Sequence, residues 1–400
     1  MNKSLLRQIL NGLVVVTIIF FSLGQFGRLP FFDVAIYASD ITMALAWVVY
    51  LTGLSYHLYP FALPPFGRIV IVFLVIAGLS LLSSLQLYPL TEVISGALYF
   101  VRYALYLGLL VIPYAIYSPK LRVWFFDAMI AAGVAVATAG LLQLAVVPDF
   151  TFMARFGWDP HYGRLLSTFF DPNFSGAFLS LIFVPTLALF LQAQKNRLAY
   201  YLSLVVMYLA LLLTYSRGSY LNFSVSMILF AMLARSKKLL AISLMLIAFL
   251  LLMSIPRQHL EARQGIDRLV SAQARLSSWD QGVIIAWENP IFGVGFNNYR
   301  SAQKQYGFLN ESELTRHSAT GNDSSLLFVL ATTGLFGFLT YGVLLVSLLF
   351  MLLYKKPHSL MRLAVGCGLV GLLLQTQFIN ALFYPPIMGL LWLLVLIAYL

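Results

Sequence analysis

Charge is the scarcest commodity in this chain. Only 10% of the 400 residues are charged, with 14 Asp and Glu against 25 Lys and Arg, and 61% are hydrophobic. So little charge excludes a soluble globular domain of this length. Cysteine is nearly absent: Cys367 stands alone in an apolar run, which excludes a disulfide framework or a cysteine metal cluster. No Asp-rich motif of the kind that holds Mg²⁺ occurs, and no internal repeat is evident. The first apolar run lacks a small-residue cleavage site behind it, so it reads as a retained helix rather than a removed signal peptide.

What the chain has in abundance is apolar runs long enough to cross a ~30 Å hydrocarbon core. They predict an all-α polytopic membrane protein, a single integral membrane domain over 1–400. About twelve spans are expected, at 5–25, 34–55, 68–86, 95–117, 123–147, 174–192, 198–215, 219–234, 238–255, 324–353, 361–381 and 384–400. The tenth is too long for one crossing and is expected to begin as a short helix outside the core.

Loop charge orients these spans. With the N-terminus inside, Lys3, Arg7, Arg68, Lys120, Arg122, Lys195, Arg197, Arg235, Lys237, Lys238, Lys355, Lys356 and Arg362 all fall on the cytoplasmic side. That bias accounts for the net charge of +11 without a nucleic-acid partner. The outer side carries Arg28, Arg155, Arg164, Arg217, Arg257, Arg263, Arg268, Arg275, Arg300 and Arg316, with Lys304 as its lone lysine. Arginine is the cation for a two-pronged grip on phosphate or carboxylate, because its planar fork keeps its proton. The bland alternative is that these arginines answer outer acidic residues such as Asp159, Glu261 and Glu288. Arg102, and Asp40 near it in kind, are the charges expected within spans.

Two outer loops are long, 148–173 and 256–323, and loops of such length usually carry function. Within the second, Ile266, Leu269, Val270, Leu276, Trp279, Val283, Ile284 and Trp287 recur at helical spacing. They predict an amphipathic helix at the membrane interface, ended by Glu288-Asn289-Pro290, with Arg275 on the flank of its apolar stripe. In the first loop, Asp171-Pro172-Asn173 predicts a helix start that Asn173 can cap.

Four stretches in order, "GRLLSTFFDPNFSGAFLSL", "LLLTYSRGSYLNF", "RLSSWDQGVIIAWENPIFGVGFNNYR" and "DSSLLFVLATTGLFGFLTYGVLL", resemble the O-antigen ligase and polymerase family. These are bacterial GT-C membrane glycosyltransferases that act on undecaprenyl-pyrophosphate-linked oligosaccharides. The resemblance implies a multi-pass protein of the bacterial inner membrane with its active site on the periplasmic face. It implies lipid-linked oligosaccharide and the bilayer as partners, admits a chain-length regulator protein, and calls for no cofactor and no metal.

The family's T-x-S-R-G arginine falls on Arg217, and the arginine opening its R-x-x-x-W block falls on Arg275; both are implied to hold the donor's pyrophosphate. Arg164, Asn173, Arg300 and Trp279 are the further candidate substrate contacts. Ligase members carry a His-Asn pair about eleven residues before the glycine of the T-G-x-x-G block. Here that position is Asp323, followed by Ser324. A carboxylate there can take the proton of an attacking sugar hydroxyl, and this departure favours a polymerase over a ligase. His317 is the alternative activating group. Asp323 is equally well placed to be a helix N-cap. A transporter, which needs charges at mid-membrane and broken helices, is the rival from another class.

Overall fold

The computed structural model describes residues 3–31, 34–263, 268–309, 321–355 and 359–400, with backbone alone at 30–31, 257–263 and 268–271. Its helices run in chain order as α1 (Lys3–Phe21), α2 (Ala38–Ser55), α3 (Gly67–Ser83), α4 (Leu90–Tyr106), α5 (Gly108–Ala115), α6 (Pro119–Val146), α7 (Pro172–Gln192) and α8 (Arg197–Leu213). There follow α9 (Arg217–Leu233), α10 (Lys237–Arg263), α11 (Arg268–Glu288), α12 (Tyr299–Gln305), α13 (Ser325–Leu353), α14 (Leu360–Gln375) and α15 (Pro385–Tyr399). Among the described residues, eight helical stretches are long and apolar enough to cross a membrane, and α8, α14 and α15 are shorter apolar helices. The protein is an all-α polytopic membrane protein.

Burial ranks the helices. The α7 span is 78% buried, whereas the α10 span is only 17% buried. A helix apolar on every face belongs in the middle of a bundle, and α15 is likewise buried along nearly its whole length. Helix α7 packs against α6, α8, α9 and α14, so the central helix begins at the Asp171 turn.

Two expectations need correction. The span expected from 34 starts at Ala38, because Val34–Tyr37 is a strand paired antiparallel with Arg28–Phe31. Val, Ile and Tyr suit a strand, and the Asp40 carboxylate accepts from the Tyr37 backbone N–H at 2.9 Å to start the helix there. Asn173 is not the cap of α7. Pro172 occupies the first helical position, and Asp171 Oδ1 accepts from the N–H groups of Asn173 (2.6 Å) and Phe174 (3.0 Å).

The charges within spans pair with each other. Arg102 Nε donates to Asp40 Oδ2 at 3.0 Å, its Nη2 lies 2.9 Å from the same oxygen, and it also bonds the Ala35 carbonyl. The guanidinium stands over the rings of Tyr37 and Tyr99. This pair ties the hairpin and α2 to α4, a structural use of intramembrane charge.

The long tenth span is two helices in one. Gly334 breaks α13 with φ 64° and ψ −167°, and the Pro290–Val294 turn fills the break. Leu335 N–H donates to the Pro290 carbonyl at 2.8 Å, and Val294 N–H donates to that of Ala331 at 2.9 Å. Backbone groups released by a kink inside a membrane protein must find such partners. A Cβ on Gly334 would collide with the Ile291 carbonyl, so only glycine fits both the dihedral and the contact.

Candidate functional site

Helix α11 ends at Glu288 as expected, but its faces divide in a way the apolar spacing does not foretell. Gly282, Ile285 and Ala286 are buried on the side that packs against α13. Trp287 is 82% exposed and Leu276 57% exposed, as are Val283 and Ile284 on the same outward face. Gly282, Ile285 and Ala286 thus meet protein, while Leu276, Val283, Ile284 and Trp287 face outward, as suits a helix at a bilayer interface. Arg275 is half-buried on the inward flank.

Helix α9 begins at Arg217 because Ser216 caps it, its Oγ accepting from Ser219 N–H at 3.2 Å. Arg217 thus stands at the positive end of a helix, where an anion is favoured twice over. The turn before it is held by Arg164, whose Nε donates to the Thr214 carbonyl at 3.0 Å and Nη2 to that of Tyr215 at 3.3 Å. Arg164 therefore satisfies the carboxyl end of α8. Asn173 accepts from Ser216 Oγ at 2.7 Å, which fastens the Asp171 turn to the start of α9.

Arg217 and Arg275 line one cavity of about 400 Å³, together with Gly218, Leu221, Ala272, Leu276, Trp279 and Phe378. Trp279 stacks on Phe378 at 5.8 Å, and its Nε1 donates to the Gln377 carbonyl at 2.9 Å. Two forked cations against apolar and aromatic walls make a site for an anionic head joined to something greasy.

Asp323 lies at the start of α13. The cap of that helix is Ser324, whose Oγ accepts from Leu327 N–H at 3.3 Å and donates to Gln377 Oε1 at 3.1 Å. Asp323 uses only its backbone, donating N–H to Ser278 Oγ at 3.0 Å. Among the described residues its carboxylate has no hydrogen bond. Burial pushes that carboxyl up to about 6, opposed by the Arg275 charge and assisted by the negative charges of Asp159 and Asp171. Its ionisation sits near neutrality, where a general base works best.

Asp159, His161 and Asp171 each bring one ligand atom within 4.8 Å of the others, a grouping the sequence did not suggest. Asp171 Oδ1 is engaged as the α7 cap, and burial raises its carboxyl above the usual carboxylate range despite those two bonds. Of the remaining candidates, Trp279 lines the cavity, Arg300 is exposed on α12 away from the cavity-lining set, and His317 lies outside the described residues. Sequence reasoning missed Ser278, Gln375, Gln377 and Phe378. The faint signal for the last three was "QTQF", polar residues closing an apolar run.

The model of the family described as O-antigen ligase matches residues 202–342. That stretch takes in Arg217, Arg275, Asp323 and Gly334, and leaves out Arg164, Asn173 and the 375–378 segment. No curated protein matches the chain. The matched stretch, residues 202–342, holds both cavity arginines and Asp323, and the match is consistent with an O-antigen ligase/polymerase family.

Proposed function

We propose that the protein is an inverting, metal-independent glycosyltransferase of the bacterial inner membrane that polymerises a surface polysaccharide on its outer face. It moves a growing glycan from undecaprenyl pyrophosphate to the next lipid-linked repeat unit. The acceptor hydroxyl attacks the anomeric carbon, and Asp323 takes its proton. The bond from that carbon to the pyrophosphate oxygen breaks, and its electron pair leaves on the pyrophosphate. Arg217 and Arg275 stabilise the charge that develops there, most strongly where water is scarce.

The observation that carries this reading is the shared cavity of Arg217 and Arg275, with Asp323 close enough to feel the Arg275 charge. The excess of arginine over lysine in the outer loops supports the periplasmic placement. A ligase, transferring the finished glycan to lipid A core or to a protein, is the second reading, favoured by the description of the matched family. Purified protein in nanodiscs, given lipid-linked repeat units alone, should make a ladder of longer lipid-linked products. Transfer only when lipid A core is added would establish the ligase instead.

A further inference from the structure

Gln375 closes α14 deep inside the protein, where two other segments meet. Its Nε2 donates to the Asn173 carbonyl and to Ser219 Oγ, both at 3.0 Å, and its Oε1 accepts from Asn222 Nδ2 at 2.8 Å. Both donors and the acceptor of one planar amide are thus engaged. Gln375, Ser219 and Asn222 are fully buried, so these bonds form without competition from water, and losing one partner strands the other. Ser219 and Asn222 belong to the first two turns of α9, the helix that Arg217 begins. Gly371, one turn earlier in α14, permits the close approach: a Cβ there would collide with Ser226 Oγ and the Asn222 carbonyl. Small residues let backbones meet in this way within membranes.

These bonds hold α9 both along its axis and in rotation against the Asp171–Asn173 turn. Gly218, beside Arg217 in the cavity wall, sits over the Gln375 side chain, a Cβ on it falling 3.5 Å from Cγ. We infer that Gln375 is a positioning residue for Arg217, gripping the first turns of α9 so that the guanidinium stands in the cavity. Gln375 lies beyond the matched residues 202–342, and the inference rests on the reading of that cavity as a pyrophosphate site.

The test is a double-variant cycle. Wild type, Gln375→Met, Arg217→Ala and the double variant, in lipid nanodiscs, are titrated with inorganic pyrophosphate while thermal unfolding is followed in parallel. A misplacement of about 1 Å can cost a reacting group about 10²-fold, and a loss of pyrophosphate affinity of about tenfold or more is expected in Gln375→Met. No further loss is expected when the change is added to Arg217→Ala, because residues that act through one another are not additive. In an Arg275→Ala background the Gln375→Met loss should persist. Wild-type affinity in Gln375→Met, or a loss that adds in full to that of Arg217→Ala, overturns the inference. If Gln375→Met is not recovered folded, Ser219→Ala removes one of the same bonds and runs through the same cycle with the same criteria. A wild type that binds no pyrophosphate sinks the functional reading and the inference with it. That result is distinguishable from a wild type that binds and a Gln375 variant that binds equally well.

Discussion

Asp323 and Ser324 are neighbours with divided labour. The Ser324 hydroxyl caps α13, and the Asp323 carboxylate stands outside that cap. An asparagine at 323 therefore takes nothing from the helix start. The folded carboxyl holds its proton more tightly than the 3.8 of an ordinary aspartate, so at neutral pH the ionised group disfavours folding and a neutral amide relieves it. Asp323→Asn should be expressed and inserted normally, melt at or above the wild-type temperature, and yield only single-repeat products. Ser324→Ala should instead lose about 1 kcal/mol of stability and retain transfer. Thermal unfolding and product ladders, measured side by side, check both. Full-length polymer from Asp323→Asn would remove the base and make His317 the next residue to test.

The pH dependence follows from the same group. Asp323 must be ionised to accept a proton, and its carboxyl titrates at about 6. Transfer should therefore fall as the pH drops through about 6. The Arg275 charge holds this carboxyl down, so Arg275→Ala should move the acid limb to higher pH as well as weakening the donor. Initial rates from pH 5 to 8, on wild type and this variant, read the shift. An unmoved limb would mean that another group titrates.

Arg217→Lys should impair transfer almost as badly as Arg217→Ala, roughly 10²-fold by analogy with the loss of one preorganised donor. Lysine keeps the charge but loses the planar fork. Near-normal glycan from a strain carrying Arg217→Lys would end the two-pronged argument.

Transfer should survive EDTA, since arginine neutralises the leaving group. The Asp159, His161 and Asp171 grouping makes the experiment sharper. Activity lost on chelation and restored by Mg²⁺ or Mn²⁺ would overturn the arginine-only mechanism. An Asp159→Asn variant that had lost the same response would then locate the ion.

Much of the architecture was legible in the chain because a bilayer allows few solutions. Backbone groups in hydrocarbon must pair within their own segment, so apolar runs of spanning length become helices. The chain breaks were legible where one residue type is decisive, as with Pro290 and the excess length of 324–353. The start of α2 was not, because an apolar strand such as Val34–Tyr37 and an apolar helix start look alike over four residues. Asn173 was mistaken for the α7 cap because two capping residues flank one proline, and only the backbone dihedrals choose between them.

At the site, Arg217 and Arg275 stood out singly, since a guanidinium beside an apolar run is costly and calls for a reason. Their sharing one cavity was not legible, because it depends on how α11, far along the chain from the start of α9, comes to line the same pocket. Gln375 looked like the polar end of a span, although its three bonds reach residues from two other helices. The sequence by itself determined which segments are apolar enough for hydrocarbon and the identity of the unusual cations, since these follow from transfer energies of individual residues. Only the tertiary structure decided that Ser324 is the cap, that Trp287, Val283 and Ile284 of α11 face outward, and that two arginines distant in sequence line one cavity. Those are questions of direction and distance, settled by which helices pack together.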